Sequence, residues 1–532
     1  MPWFKSFHRR WRRYLDRSEW FIHLLDLPCF TGPKDSPGLI LIQIDGLSMM
    51  QLERALKRRR MPHLRRLLRR GHYRLHRHYA GLPATTPASQ GLLFYGMPNA
   101  VPAFSFRERG SGKVVRMYEP GPAATVESRL RRNGRSPLLE GGSAYVDNFT
   151  GGAAEPHFCP AAIGWGPPLR GAPRWILGLF VLLHLPSFLR LIALLAIELG
   201  LAIVDFLRGI IAGQDFFKEL KFIPTRVGIV ILLRELSVIG ARLDIARGLP
   251  IIHMNFLGYD EQAHRRGPDS RFAHWTLKGI DDAIARIRRT ARRSRRRRYQ
   301  VWIYSDHGQE RVIPYVVRHG RHLDDAVREL LNDLGLPVRL QADVGKGTQT
   351  LRIRWFGGNR IQRLFPVNDV VLDQGDEAAL AALGPVGHLY IDRQLDDAMR
   401  ERIARGLVKQ LKVPLVLVCQ GGQVRAWTSE GEYRLPDQTA EIFGRDHPWL
   451  DYLGSDWQAL CQHPEAGDFV LVGWRHGVQP VTFAIENGAH AGAGPNETSA
   501  FACLPADVRL PGRDHLTTLD LRAAAMAYLQ PQ

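Results

Sequence analysis

The chain has 532 residues, 45% hydrophobic and 23% charged, which excludes a mainly disordered polypeptide. Its length allows three or four domains, or one large core with insertions. Lys+Arg exceed Asp+Glu by 72 − 52 = +20, a balance that asks for an acidic partner such as a phosphate ester, an anionic lipid surface or nucleic acid.

The N-terminal segment, residues 1–34, carries no secretory signal, because no apolar run follows its arginines before Asp26. Within Met1–Trp20, Phe4, Phe7, Trp11, Tyr14 and Leu15 recur at helical spacing between arginines. That pattern suits a helix lying on an anionic membrane, or equally a helix docked on its own protein. Gly38–Gly46 reads as a buried strand ending at Asp45, and Leu249–Leu257 and Gln300–Tyr304 read as two more. Arg271–Arg289 has one apolar stripe and reads as a helix. Strands separated by helices predict an α/β fold with a largely parallel central sheet, whose ligand site lies at the carboxyl ends of its strands. The expected divisions are core segments 35–170, 249–312 and 384–532, an apolar helical insertion at 171–248 and a cap insertion at 313–383.

The first insertion contains Trp175–Gly213, the most apolar part of the chain, interrupted by His184 and Pro186. In its second half Arg190, Glu198, Asp205 and Arg208 fall within one narrow helical stripe. Neither half offers the roughly 20 clean apolar residues of a membrane span. The pattern suits a hairpin dipping into a membrane surface; two full spans and a buried helical pair stay open. Arg286–Arg298 holds nine arginines and reads as a solvated helix end. It lacks interleaved aromatics, which makes a nucleic-acid module a weak reading. Five scattered cysteines, never in a CxxC pair, argue against a disulfide framework or a cysteine zinc finger.

Six residues near predicted strand ends carry chemistry. Asp45 ends the first strand, Asp260 and His264 are an i, i+4 pair that shares a helix face, Asp306 and His307 precede Gly308, and His490 sits among small residues. Three carboxylates and three imidazoles are the ligand count for two divalent metals, zinc or alternatively manganese. Such a site activates a nucleophile and supports displacement at phosphorus. The nucleophile candidates are Thr85 and Thr86, ahead of Pro87. A threonine hydroxyl needs activation to attack.

In this order, these motifs resemble the alkaline phosphatase superfamily, nearest its type I phosphodiesterase/nucleotide pyrophosphatase branch. Ile44-Asp45-Gly46 is similar to the first metal aspartate. Pro83-Ala84-Thr85-Thr86, with Gly96 ten residues on, resembles the nucleophile segment and implies Thr86 as nucleophile. Tyr259-Asp260-Glu261-Gln262-Ala263-His264 followed by Gly267-Pro268, Asp306-His307-Gly308, and His490 resemble the remaining ligand motifs. The resemblance implies one metal on Asp45, Asp306 and His307, in contact with Thr86, and another on Asp260, His264 and His490. It does not cover Trp175–Gly213 or Ile313–Leu383. Ala84, Ala88, Ser89 and Gln90 depart from the branch pattern in the segment that lines its substrate pocket, so nucleotide specificity is not carried over. The sulfatase and phosphomonoesterase nucleophile signatures are absent. The expectation is a metal-dependent phosphodiester or phosphomonoester hydrolase, acting on a nucleotide or lipid headgroup at the cytoplasmic membrane face or in the cytoplasm. A phospho-headgroup transferase and a non-enzymatic membrane scaffold are the alternatives.

Overall fold

The computed structural model describes residues 17–343, except 161, 163–174, 204–227, 337 and much of 175–203, and then residues 378–530. Residues 1–16, most of Trp175–Gly213 and the centre of Ile313–Leu383 therefore lie outside the described residues.

An eight-stranded sheet organises the chain. Its strands are β1 (Pro37–Ile44), β2 (Tyr73–Tyr79), β3 (Ser143–Tyr145), β4 (Glu155–His157), β5 (Ile251–Phe256), β6 (Arg298–Tyr304), β7 (Ser499–Pro505) and β8 (His515–Thr517). Their spatial order is β8-β2-β7-β6-β1-β5-β3-β4. Five of the seven neighbouring pairs are parallel, and only β7 runs against its neighbours β2 and β6. The expected largely parallel α/β sheet is the one found. β1 is central and almost wholly buried, which is why it reads as an unbroken apolar run rather than an alternating one.

Helices cover both faces. Five of them are used below: α1 (Met49–Lys57), α2 (Pro62–Arg69), α3 (Thr86–Tyr95), α4 (Arg234–Arg247) and α5 (Gly258–Arg266). With α6 (Arg271–Ala291) and the single π turn Gly228–Leu233, four of them (α1, α2, α4 and α5) pack a core on one face around Ile42, Ile44, Met254 and Ile303. α3 lies on the opposite face with Leu93 and Phe94 against Leu39, Leu41 and Trp302. A second sheet of seven strands, mostly antiparallel, lies between β6 and β7 in sequence and spans Leu340 to Val472. It has its own apolar clusters, and its strands Leu340–Asp343 and Ala378–Ala381 precede residue 383 while the other five follow it.

The described helix Arg17–Leu24 packs Phe21 and Ile22 against Leu243 and pairs Glu19 with Arg296 at 2.6 Å. Among the described residues no helix is long and apolar enough to cross a membrane. The five cysteines are all free.

Candidate metal and phosphoryl site

Parallel strands end at one edge, and the residues just beyond those ends meet there. Asp45 follows β1, Asp260 lies in α5 just after β5, and Asp306 is two residues past β6. Thr86 opens α3 after β2, and His490 lies ahead of β7, whose antiparallel direction starts it at the same edge. A two-residue ladder, Gly488–Ala489 against Glu310–Arg311, draws the His490 loop alongside His307.

Two glycines make the approach possible. Gly46 has φ +68°, and a Cβ there would lie 2.3 Å from Asp260 Oδ1. A Cβ at Gly308 would lie 2.1 Å from the Asn496 carbonyl oxygen. Side chains at either position would push apart the loops carrying the carboxylates.

The six residues converge. Ligand atoms of Asp45, Asp306 and His307 lie within 4.8 Å of one another, as do those of Asp260, His307 and His490. His264 Nε2 is 3.2 Å from Asp260 Oδ2, and the His307 and His490 rings stack at 3.8 Å. His307 thus stands between the two groups, while His264 reaches the cluster through Asp260. The Thr86 hydroxyl lies 3.2 Å from both Asp45 Oδ1 and His307 Nε2. Thr85, by contrast, is 1% exposed and turns its hydroxyl back to the Pro83 carbonyl at 3.5 Å.

Each imidazole is held through Nδ1. His307 Nδ1 contacts the Gly308 carbonyl at 2.9 Å, His490 Nδ1 the Ala84 carbonyl at 2.8 Å, and His264 Nδ1 Glu486 Oε2 at 2.8 Å. An Nδ1–H donated to an oxygen leaves the Nε2 lone pair facing the cluster, the tautomer a metal-binding histidine needs. Asp306 Oδ2 is buried without a hydrogen-bond donor. This donor set fits divalent cations: buried carboxylates crowd together, and an orphaned oxygen faces fixed imidazole lone pairs.

The electrostatics point the same way. Burial first, then the charges of Asp306 and Asp260, push the Asp45 carboxyl well above its ordinary range. Burial raises Asp306 to about 7 and lowers His307 to about 4 and His490 to about 3. Burial opposes ionisation of Asp260, yet His264, His490 and His307 hold it below its ordinary value. Without a cation, burial thus favours the uncharged forms of Asp45, Asp306, His307 and His490.

Several supporting residues escaped the sequence reading. Asn255 donates to Asp45 Oδ2 at 2.8 Å, and Gln309 donates to Asp260 Oδ1. Glu497 accepts from the Gly492 and Gly494 amides at 2.9 and 2.7 Å, fixing the loop after His490. Only Asn255 left a signal, as one of two polar residues, with His253, in a buried strand that is apolar elsewhere. Gln90, which departs from the branch pattern, is fully buried. It donates to Asp147 Oδ1 at 3.0 Å and accepts from the Asn148 amide at 2.8 Å, so it braces α3 one turn beyond Thr86.

Residues 250–408 match the family described as type I phosphodiesterase / nucleotide pyrophosphatase. That segment carries Asp260, His264, Asp306 and His307, and leaves Asp45, Thr86 and His490 outside it. No curated protein matches the chain. Among solved structures, phosphonoacetate hydrolase from Sinorhizobium meliloti 1021 is 15% identical with TM-score 0.46, covering 94% of this chain and 98% of that one. Human ectonucleotide pyrophosphatase / phosphodiesterase 5 is 10% identical with TM-score 0.45, covering 93% and 96%.

Proposed function

We propose that this chain, by its match over residues 250–408 a type I phosphodiesterase/nucleotide pyrophosphatase-like phosphoric ester hydrolase of the alkaline phosphatase superfamily, attacks its substrate with Thr86 over two divalent metal ions. The observation that carries the reading is the Thr86 hydroxyl, 3.2 Å from Asp45 Oδ1 and His307 Nε2 at the opening of α3. Asp45, Asp306 and His307 would hold one ion, and Asp260, His264 and His490 the other. The mixed nitrogen and oxygen donors suit zinc, with manganese second. When bound, such ions lower the pKa of the nucleophile and neutralise phosphoryl charge.

The chain's own residues supply the rest. Thr86 Oγ1 forms a bond to phosphorus as the bond to the leaving oxygen breaks, and water then hydrolyses the phosphothreonine and restores the hydroxyl. The positive end of α3 faces the phosphoryl oxygens, which favours their negative charge. Glu486, Gly308 and Ala84 hold the imidazoles so that the geometry is set before substrate arrives. The family match supports hydrolysis and lends no support to a headgroup transferase or a scaffold.

The substrate is a phosphate ester of a nucleotide or a lipid headgroup, and the proposal places the protein at a membrane surface. Trp175, Leu182, Leu185, Leu189, Ile192, Ile197, Leu199 and Ile203 are all exposed, between 42% and 64%. They are eight of the thirteen exposed large apolar side chains among the described residues, a concentration that suits an apolar partner surface. The test is a panel of a nitrophenyl phosphodiester and the monoester with zinc and with manganese. Turnover of neither, with either metal, refutes the hydrolase reading. Recovery of the intact protein wholly in the soluble fraction at low salt refutes the membrane placement.

A further inference from the structure

Several arginines of this chain have carboxylate partners. Most of the buried or half-buried ones are neutralised: Arg247 by Glu155 and Asp244, Arg286 by Glu235 and Asp282, Arg296 by Glu19, and Arg107 by Asp392. The arginines of α2 and the turn before it are not. Arg59, Arg65, Arg66, Arg69 and Arg70, with Pro62, line an open cleft of about 430 Å³. Among the described residues no carboxylate pairs with any of these five. The nearby carboxylates are engaged elsewhere. Asp281 turns inward to accept from the His63 and Leu64 amides at 2.7 and 2.9 Å, and Asp282 pairs with Arg286 at 3.0 Å.

The arrangement is costly without a counter-ion. Arg65/Arg69 and Arg66/Arg70 are i, i+4 neighbours on one helix, a spacing at which like charges repel. The C-terminal part of α6 adds Arg288 and Arg289 to the same region. Their positive field is felt by His63: burial first, then Arg288, Arg66 and Arg289, lower its imidazole to about 4.

The cleft is remote from the catalytic edge. α1 starts at Ser48, beside the site, and runs down the sheet to Lys57, and β2 climbs back from Tyr73 to Tyr79 before Thr86. A seven-residue strand spans about 20 Å, so α2 lies roughly that far from the nucleophile, at the amino ends of the strands.

We infer that the cleft between Arg59 and Arg70 is a second anion site that takes an anion carrying two or more clustered phosphate groups. Guanidinium forks accept phosphate oxygens in pairs, and a cleft lined by five of them exceeds what a single phosphate can neutralise. Among the described residues no aromatic side chain lines it, which removes the base-stacking platform a single-stranded nucleic acid uses. Clustered phosphates reach such a cleft either as a free polyphosphate or as the headgroups of an anionic lipid surface.

The test uses full-length, metal-loaded protein carrying Thr86→Ala, so that added phosphate is not turned over. Sodium tripolyphosphate is titrated calorimetrically, and vesicles of phosphatidylglycerol are compared with phosphatidylcholine by cosedimentation. Against this parent stands the same chain with Arg66→Glu, Arg69→Glu and Arg70→Glu. The expected result is at least tenfold weaker binding in the charge-reversed chain. Loss on tripolyphosphate identifies a soluble ligand, and loss on phosphatidylglycerol vesicles alone identifies lipid headgroups. With Thr86 intact, the charge reversals should leave nitrophenyl phosphodiester turnover within twofold. Arg66→Gln/Arg70→Gln, which keeps helix-forming side chains, replaces the triple change if that chain fails to fold. Equal binding by parent and variant on both probes overturns the assignment, as does tighter binding of duplex DNA than of either probe. Because the readout is binding at a remote cleft, failure here leaves the Thr86 chemistry standing, and failure of that chemistry leaves the cleft.

Discussion

Once metal is removed, the contribution of Asp306 to stability should fall as pH rises, read as the Tm difference between the stripped parent and stripped Asp306→Asn, in which the opposing terms of the buried histidines cancel. The perturbation is exhaustive chelation at pH 5 through 8. Burial holds the Asp306 carboxyl at about 7 against an ordinary 3.8, and Asp45 is raised as well. A carboxyl with a raised folded-state pKa binds more protons folded than unfolded between those two values. Its contribution is complete below pH 4 and is lost as pH climbs through 7. For Asp306 the difference between 3.8 and about 7 is worth on the order of 4 kcal/mol. With an unfolding entropy of ~2.1 cal/mol/K per residue, a chain of 532 residues loses roughly 1.1 kcal/mol per degree; between pH 5 and 8 only about 2.7 kcal/mol of this contribution is lost, so the expected drop in Tm is about 2.5 °C. Metal-loaded protein should show the reverse slope, since cations bind the ionised carboxylates and compete with protons. Scanning calorimetry with and without chelator measures both. A Tm difference between stripped parent and stripped Asp306→Asn that stays flat or grows in the parent's favour between pH 5 and 8 would refute the crowded-carboxylate account of this site.

Five substitutions probe the site one residue at a time. Thr86→Ala should lower turnover by at least a thousandfold with metal content unchanged, whereas Thr85→Ala, whose hydroxyl faces Pro83, should stay within tenfold of the parent; the opposite ranking means the nucleophile is Thr85. Asp306→Asn and His264→Ala should each lose activity and about one metal per chain by elemental analysis, and full occupancy with full activity in either counts against the ligand assignment. Glu486→Gln keeps the shape but weakens the hold on His264 Nδ1, so metal affinity should fall by about 10- to 100-fold in a competition titration while the fold is retained.

Much of this protein is written locally in its chain. Gly38–Gly46, Leu249–Leu257 and Gln300–Tyr304 read as strands because buried parallel strands are continuous apolar runs, and they appear as Pro37–Ile44, Ile251–Phe256 and Arg298–Tyr304. The helix read over Arg271–Arg289 runs from Arg271 to Ala291, because its apolar stripe repeats at the helical period. Asp260 and His264 share a face because four residues are about one turn of α5. The chemistry-bearing residues were visible too, since carboxylates and histidines next to strand ends and glycines stand out against an apolar background.

Other features needed the third dimension. Asp45 and Asp260 are 215 positions apart, and only parallel pairing of β1 with β5 sets their ends at one edge. The supporting groups Asn255, Gln309 and Glu486 look like ordinary polar residues in sequence, because a hydrogen bond to a ligand residue depends on where a distant loop returns. Gln90 is a departure from a motif until Asp147 and Asn148 are seen to bind it. The arginines of α2 carry no motif that sets them apart in the sequence. Their meaning depends on which arginines the fold supplies with carboxylates, and pairing across strands and helices is a property of the folded surface that a linear pattern does not encode.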